Sequence, residues 1–548
     1  MSAGTAHAAV HDYVVVGGGA AGCIVAARLS EDPGVSVLCL ESGAERRNPL
    51  LAVPAAEVLW MGSPRYDWSF DTASDPTIGG RSVRIPRGRL LGGSNAINGM
   101  LYVRGQRADY DDWAAAGNPG WGWTDVLPHF RALEDSELPG PTRGVGGPVP
   151  VGLPGGPDEL CDAFLAAAGS LGHGHNPDYN AGDQEGIGYY QATSRAGRRS
   201  AVVHTHLAAA RRRRNLTVVT DAHVVAVDWS GTRATGVRYR RGGRLHGARA
   251  AREVVLCAGA VQTPHLLELS GVGAPEVLRA AGIPTRHRLD GVGADYRDHY
   301  AVRLRWRVRR RVTFNDRTRG TRLLGETVRY LRDGSGVLGL PTALAYAFLR
   351  SDTASDRPDL QFHFAPASYG AGPSRRFDDR PGMTLGVYPL RPRSSGSIHA
   401  SSPDPAEPPR IEPAFLSDED DLRLLVAGAR LARRIVGRPA LDAYRGEELT
   451  PGPASTSDED LADYARECGD TSYHPVGTCR MGRDPGAVVD HRLRVHGLTG
   501  LRIVDASVMP SMVSGNSNAA TLMIAEKGAS MIVEDRVPVA PPTAGVGG

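Results

Sequence analysis

The chain runs to 548 residues, more than one hydrophobic core usually organises, so two domains are expected. Its composition is 41% hydrophobic and 22% charged with a formal net charge of +3, an ordinary globular balance that calls for neither nucleic acid nor a membrane surface as partner. A small molecule is the expected partner.

Lys527 is the only lysine, so arginine carries the positive charge. The run Arg211 to Arg214 reads first as a solvated face or helix end, with an anionic-ligand contact as the alternative. Six cysteines, Cys23, Cys39, Cys161, Cys257, Cys468 and Cys479, show neither paired metal-ligand spacing nor the density of a disulfide scaffold, so no metal is expected and a reducing compartment fits. The first ten residues lack a basic stretch followed by a long apolar one, and no uncharged apolar run reaches about 18 residues. The expectation is a soluble cytoplasmic protein without a membrane span.

In chain order, Tyr13–Val16 reads as a strand, Cys23–Leu29 as a helix and Val35–Leu40 as a second strand, a βαβ start. Residues 139–157 are dense in glycine and proline and read as a long loop crossing between domains. Leu216–Val219, Val224–Val227, Gly236–Tyr239 and Glu253–Cys257 read as strands returning to the first domain. Leu360–Phe364 and Met383–Tyr388 are strand-like pieces of a second domain, Asp418–Val436 has helical spacing, Leu501–Val504 is strand-like and Ala519–Ile532 reads as a helix. The tail 537–548 is expected to be disordered.

Gly17, Gly19 and Gly22 satisfy GxGxxG directly after a strand and before a helix. The first glycine permits the tight turn, the second lets backbone approach a pyrophosphate and the third lets helix and strand pack closely, with phosphate at the positive helix end. Glu41, closing the second strand, suits the adenosine ribose hydroxyls and disfavours a 2′-phosphate. The fingerprint alone leaves FAD and NAD open.

Two longer segments break that tie. Residues 88–98, continuing through Tyr102, Gly105 and Asp111, and residues 259–273 resemble the two signatures of the glucose-methanol-choline (GMC) oxidoreductases. The resemblance implies FAD, with Gly92 and Gly93 admitting the cofactor and Asn95, Asn98, Val224 and Asn516 among its contacts. Asn98 could instead cap its own loop. Some relatives attach FAD through a histidine in the first signature, but residues 95–98 contain none, so a dissociable flavin is expected. Asp505 and Ala506, after the last strand, resemble the family's closing contact with the flavin.

Residues 473–478 and 515–518 resemble the segments carrying the family's catalytic histidine and its partner, which points to His474 and Asn518. Hydride leaves an alcohol carbon readily once the hydroxyl proton is removed, and histidine titrates near neutrality. Asn518 would hold the same oxygen, and residues 516–518 would cap the following helix. Met100, Tyr102 and Tyr473 either wall the substrate pocket or pack in the core, and the same choice applies to His363.

The implied architecture is α/β: a discontinuous Rossmann-like FAD domain from 8–150, 217–295 and 460–536, and a substrate domain from 151–216 and 296–459 built on an antiparallel β-sheet with helices. The implied activity is oxidation of a small-molecule alcohol to the aldehyde or ketone, with oxygen or another acceptor reoxidising the flavin. A hydroxynitrile lyase on the same scaffold and an inactive flavoprotein are the alternatives.

Overall fold

A computed structural model describes residues 9–351, 355–370 and 376–536. The tail 537–548, expected to be disordered, lies outside them. In chain order the elements that build the site begin with strand β1 (Val10–Val16), helix α1 (Ala20–Leu29), β2 (Val37–Leu40), β3 (Gly186–Tyr189), β4 (Leu216–Val219), β5 (His223–Ser230), β6 (Arg233–Arg241), β7 (Arg244–Leu256) and helix α2 (Gly259–Leu269). They continue with β8 (Tyr300–Val308), β9 (Ala345–Leu349), β10 (Leu360–Ala365), β11 (Gly382–Pro389), helix α3 (Glu419–Val436), β12 (Arg445–Thr450), β13 (Asp470–Thr471), β14 (Leu501–Ile503) and helix α4 (Asn518–Glu534).

The first sheet has the order β4-β2-β1-β7-β6-β5, with β14 paired to β7. Strands β4, β2, β1 and the second half of β7 run parallel, and β6 and β5 fold back as an antiparallel flap. Every residue of β2 is buried, as both faces of a helix-covered parallel sheet require. Helix α1 is buried nearly all round and packs against α4. At Gly22 the helix lies against the glycine turn that follows β1, where a Cβ would stand 1.7 Å from the carbonyl oxygen of Gly17.

The second sheet is antiparallel, in the order β12-β8-β11-β10-β9-β3 with β13 paired to β8. Strand β8 alternates strictly: Val302, Leu304, Trp306 and Val308 are buried in the cluster that holds Leu425, Ala429 and Ala432 of α3, while Arg303, Arg305 and Arg307 take the other face. This is the α/β architecture with an antiparallel second sheet that the sequence implied.

Two stretches lie differently from the expected division. The boundary between 216 and 217 falls inside β4, whose partner is β2 of the first sheet, because Leu216 to Val219 continue the parallel register. Within 460–536, β13 bonds to β8 of the second sheet, with Thr471 opposite Tyr300. The expected loop 139–157 holds a short strand, Val149–Val151, parallel to Glu134–Ser136. Among the described residues no helix is long and apolar enough to cross a membrane.

Gly22→Ala is expected to destabilise the protein by about 3 kcal/mol, because the added methyl meets rigid backbone rather than a movable side chain. Chemical denaturation of the purified variant checks it; an unchanged midpoint would show that helix and strand can separate without loss.

Candidate active site

A cavity of about 720 Å³ opens between the two sheets. It is walled by Gly17, Gly19, Leu40 and Glu41 from the first sheet's glycine turn, by His363, Thr384, Arg303 and Arg305 from the second sheet, and by His474, Asn516 and Asn518 from the carboxyl-terminal segments. Val224, Asp505 and Ala506 also line it.

At the glycine turn the backbone is bare because it must be. Gly17 has φ +100° and a Cβ there would lie 2.5 Å from the Cys257 carbonyl oxygen; Gly93 has φ +53° and a Cβ would lie 2.8 Å from the Cα of Gly19. Gly22 and Gly92 do not reach the cavity. Gly22 sets the helix approach, and the N–H of Gly92 donates to the carbonyl of Gly18 at 2.7 Å, tying the first signature to the turn.

Glu41 accepts from the N–H of Gly18 at 2.8 Å through one oxygen and from that of Gly43 at 2.7 Å through the other. Burial pushes its carboxyl up to about 7, against the pull of those two bonds. Each oxygen keeps a lone pair for a hydroxyl, so it braces the turn as well as facing the cavity. Asp505 accepts from the N–H of Gly259 at 2.9 Å and the Thr263 hydroxyl at 2.6 Å, and from the N–H of Ser507 at 2.8 Å. Its carboxylate thus holds the start of α2 in place.

The asparagines divide differently from the sequence reading. Asn98 accepts from the N–H of Met100 at 3.1 Å and from Arg199 Nη1 at 2.9 Å, so it caps its own loop. Asn95 accepts from the N–H of Val202 at 2.7 Å and donates to Asn518 Oδ1 at 3.2 Å. The N-cap of α4 is Ser517, in helical conformation and with no side-chain cap, so neither Asn516 nor Asn518 caps the helix: their side chains are engaged elsewhere. The Nδ2 of Asn518 is buried at the cavity wall without a hydrogen-bond partner among the described residues. Bare backbone at Gly17, Gly19 and Gly93, with this orphan donor, fits a dinucleotide such as FAD.

The residue that meets His474 is Asn516, not Asn518. Asn516 Nδ2 lies 3.0 Å from His474 Nε2. The correction follows from the turn before α4, which sends residue 516 toward His474 and residue 518 back onto Asn95. The amide is oriented from behind: Gln361 Nε2 donates to Asn516 Oδ1 at 3.3 Å and to the Tyr190 hydroxyl at 2.7 Å, while the Tyr388 hydroxyl donates to Gln361 Oε1 at 2.6 Å.

On its other side His474 Nδ1 lies 3.0 Å from His299 Nδ1, and His299 Nε2 lies 2.9 Å from the carbonyl oxygen of Leu390. A carbonyl only accepts, so His299 Nε2 carries the proton. Burial pushes His299 down to about 4, so its Nδ1 is a bare acceptor at neutral pH. His474 must then donate from Nδ1, which leaves the lone pair on Nε2, facing Asn516 and the cavity. Burial first, then His299, His363 and Arg87, hold His474 well below the ordinary histidine value of 6.5.

The loop is clamped to match. Asp298 accepts from the N–H of His474 at 2.7 Å and from the Tyr296 hydroxyl at 3.1 Å, and also from the Thr471 hydroxyl. Tyr473 sits at φ 68°, a left-handed conformation held by Thr471 Oγ1 at 2.8 Å and by Arg87, which donates to its carbonyl at 2.6 Å.

Of the remaining expected pocket residues, Met100, Tyr473 and His363 line the cavity. His363 donates from Nε2 to the Tyr388 hydroxyl at 3.1 Å, and burial pushes it down to about 3. Tyr102 does not line it. It is fully buried in the first sheet's core, because the backbone around it pairs with Gln191 and turns the ring away from the second sheet. Sequence reading missed His299, Gln361, Arg303 and Arg305; the strict alternation of β8 was the one signal available for the arginines.

Residues 11–301 match the family model described as GMC oxidoreductase, and residues 392–525 match a second model of that description. The chain is 38% identical over 532 residues to an "Alcohol dehydrogenase [acceptor]" from Pseudomonas putida, covering 96% of each. It is 38% identical over 539 residues to "Oxygen-dependent choline dehydrogenase 1" from Chromohalobacter salexigens, covering 97% of this chain and 96% of the other. Its fold resembles a crystal structure of pyridoxine 4-oxidase from Mesorbium loti, with a TM-score of 0.87, 33% identity, and 96% of this chain and 100% of that chain covered. With its bare-backbone turn, its clamped histidine and these matches along nearly its whole length, the chain belongs to the GMC oxidoreductase family.

Proposed function

We propose that the protein oxidises an alcohol to the aldehyde or ketone with dissociable FAD, His474 acting as the general base. One observation carries the reading: a neutral, buried histidine on the cavity wall keeps Nε2 as an acceptor, held by the amide N–H of Asn516 until a substrate hydroxyl takes that place. FAD, when bound, supplies the hydride acceptor, and oxygen or another acceptor restores it. Relatives named alcohol dehydrogenase and choline dehydrogenase support the activity class. None of Asn95, Ala96, Ile97 and Asn98 has a nucleophilic ring nitrogen, which supports non-covalent binding. The six free cysteines suit the cytoplasm.

The chain's own work is positioning and proton transfer. His474 takes the hydroxyl proton at Nε2 while its Nδ1–H goes on donating to His299 Nδ1. Asn516 Nδ2 donates toward the substrate oxygen without competing for that proton, and Gln361 keeps the amide from flipping. Asn518, with its free Nδ2, contacts the cofactor instead.

Replacing His474 with alanine should slow anaerobic flavin reduction by an alcohol about 10²- to 10⁴-fold with FAD retained. Unchanged reduction would defeat the base assignment, and a flavin that stays oxidised while a cyanohydrin is cleaved would favour the lyase.

His299→Ala frees His474 to adopt the other tautomer, so reduction should slow here too. Burial is the chief force holding His474 below 6.5, and removing the His299 ring opens it to water, so the acid limb of kcat/KM should move up toward 6.5 in the variant. A pH profile with an unmoved limb would leave His299 a packing residue.

Asn516→Ala should cost about 10²-fold in reduction rate, the scale of one lost oxyanion donor. Asn518→Ala should instead weaken FAD rebinding to stripped apoprotein, followed by fluorescence titration, with the loaded enzyme reducing near the native rate. The reverse pattern would restore Asn518 as the histidine's partner.

A further inference from the structure

The second sheet presents cationic side chains to the cavity. With Val302, Leu304 and Trp306 packed into the core, the period of a strand leaves Ala301, Arg303 and Arg305 facing the other way, and all three line the cavity. Their cross-strand neighbours are small. Arg303 is opposite Gly386 and Arg305 opposite Thr384, followed on β10 by His363 and Ala365, so the adjacent strand leaves room for both arginine side chains. A Cβ at Gly386 would lie 3.6 Å from Cγ of Arg303, so only the missing side chain at that position leaves room for the stem of the arginine, whose guanidinium turns to Thr471 and Asp470. Its charge helps depress His363, and His363 in turn helps depress His474, which puts the cation and the histidine–asparagine pair within electrostatic reach.

The two arginines differ in their partners. Arg303 has Asp470 at 3.7 Å and donates to the carbonyl of Thr471 at 3.2 Å. Arg305 donates to the Thr450 hydroxyl at 3.1 Å and to the carbonyl of Tyr369, both neutral, and among the described residues it makes no ion pair. Of the other carboxylates on the cavity wall, Glu41 and Asp505 brace the dinucleotide side and Glu57 bonds the Thr342 hydroxyl. A half-buried guanidinium with a neutral first shell retains N–H donors for an oxyanion and repels a cation.

We propose that the alcohol oxidised here carries a carboxylate or similar oxyanion, bound by Arg305 with Arg303, and that quaternary ammonium alcohols such as choline are poor substrates. The inference rests on the alcohol-oxidising reading for its chemistry but on the arginines alone for its charge preference. The preference is for a charge opposite to that of choline.

The test uses the FAD-loaded protein and two readouts. Anaerobic flavin reduction is followed with ω-hydroxy acids of three to eight carbons, their neutral amides, and choline. Calorimetry then compares a non-oxidisable carboxylate, hexanoate, with hexanamide. The expected result is at least one hydroxy acid about tenfold or more better in kcat/KM than its amide and than choline, and tighter binding of hexanoate. Arg305→Met should close that gap, and Arg305→Lys, which keeps the charge and most of the packing, should restore part of it. Amides or choline reducing the flavin as well as every acid, together with equal binding of the two calorimetric probes, would overturn the proposal while leaving alcohol oxidation standing. If no alcohol of any charge reduces the flavin, alcohol oxidation falls, and the hexanoate comparison still decides the charge preference.

Discussion

The main-chain carbonyl of Leu390 determines which nitrogen of His474 faces the cavity with a lone pair. It forces the proton of His299 onto Nε2; His299 then accepts through Nδ1, and His474 must donate from Nδ1. No ionised partner is needed for this orientation, because each ring is neutral and each proton has one place to go. A carboxylate in the place of His299 would raise the histidine's proton affinity; a neutral imidazole orients it and leaves it free of charge.

Such a chain survives burial only if every member is satisfied. Leu390 ends β11's path, His299 precedes β8, and these two strands are direct neighbours in the second sheet. The sheet therefore fixes the distance from carbonyl to ring. On the other side, Gln361 from β10 and Tyr388 from β11 orient Asn516 through hydrogen bonds whose donors and acceptors admit one consistent assignment. The left-handed Tyr473 and the Asp298 clamp bring a loop to this sheet, so the proposed base is carried by the carboxyl-terminal segment and aligned by the second sheet. Apolar packing of β8 on α3, within a larger buried cluster, supports the sheet that holds residues so far apart in the chain.

Local patterns in the chain predicted well where the physics is local. The βαβ start, the parallel strands and the helices near 419–436 and 518–534 were read within a few residues, because each follows from apolar period and turn chemistry. The site was less legible. His474 was visible through its surrounding motif, but two asparagines two positions apart could not be ranked without the path of the turn between them. Tyr102 was placed near the pocket by motif and lies in the core, while Asn98 both lines the cavity and closes its own loop. His299 and Gln361 carry no local mark, since their meaning lies in partners found only after the sheet forms.

From the sequence by itself came the identity of the groups able to do the chemistry: a glycine turn that admits phosphate, a histidine in a glycine- and proline-rich loop, and amides ahead of the last helix. The glycine turn is a property of residue type and short spacing, which the covalent chain carries unfolded, and the histidine and the amides were marked by the resemblance of their segments to the GMC oxidoreductases. Tertiary structure alone decided the tautomer of His474, the choice of Asn516 as its neighbour, and the exposure of Arg303 and Arg305 to the cavity. Each of those depends on hydrogen-bond direction or on which face of a strand is buried, and both are set only when distant segments pack together.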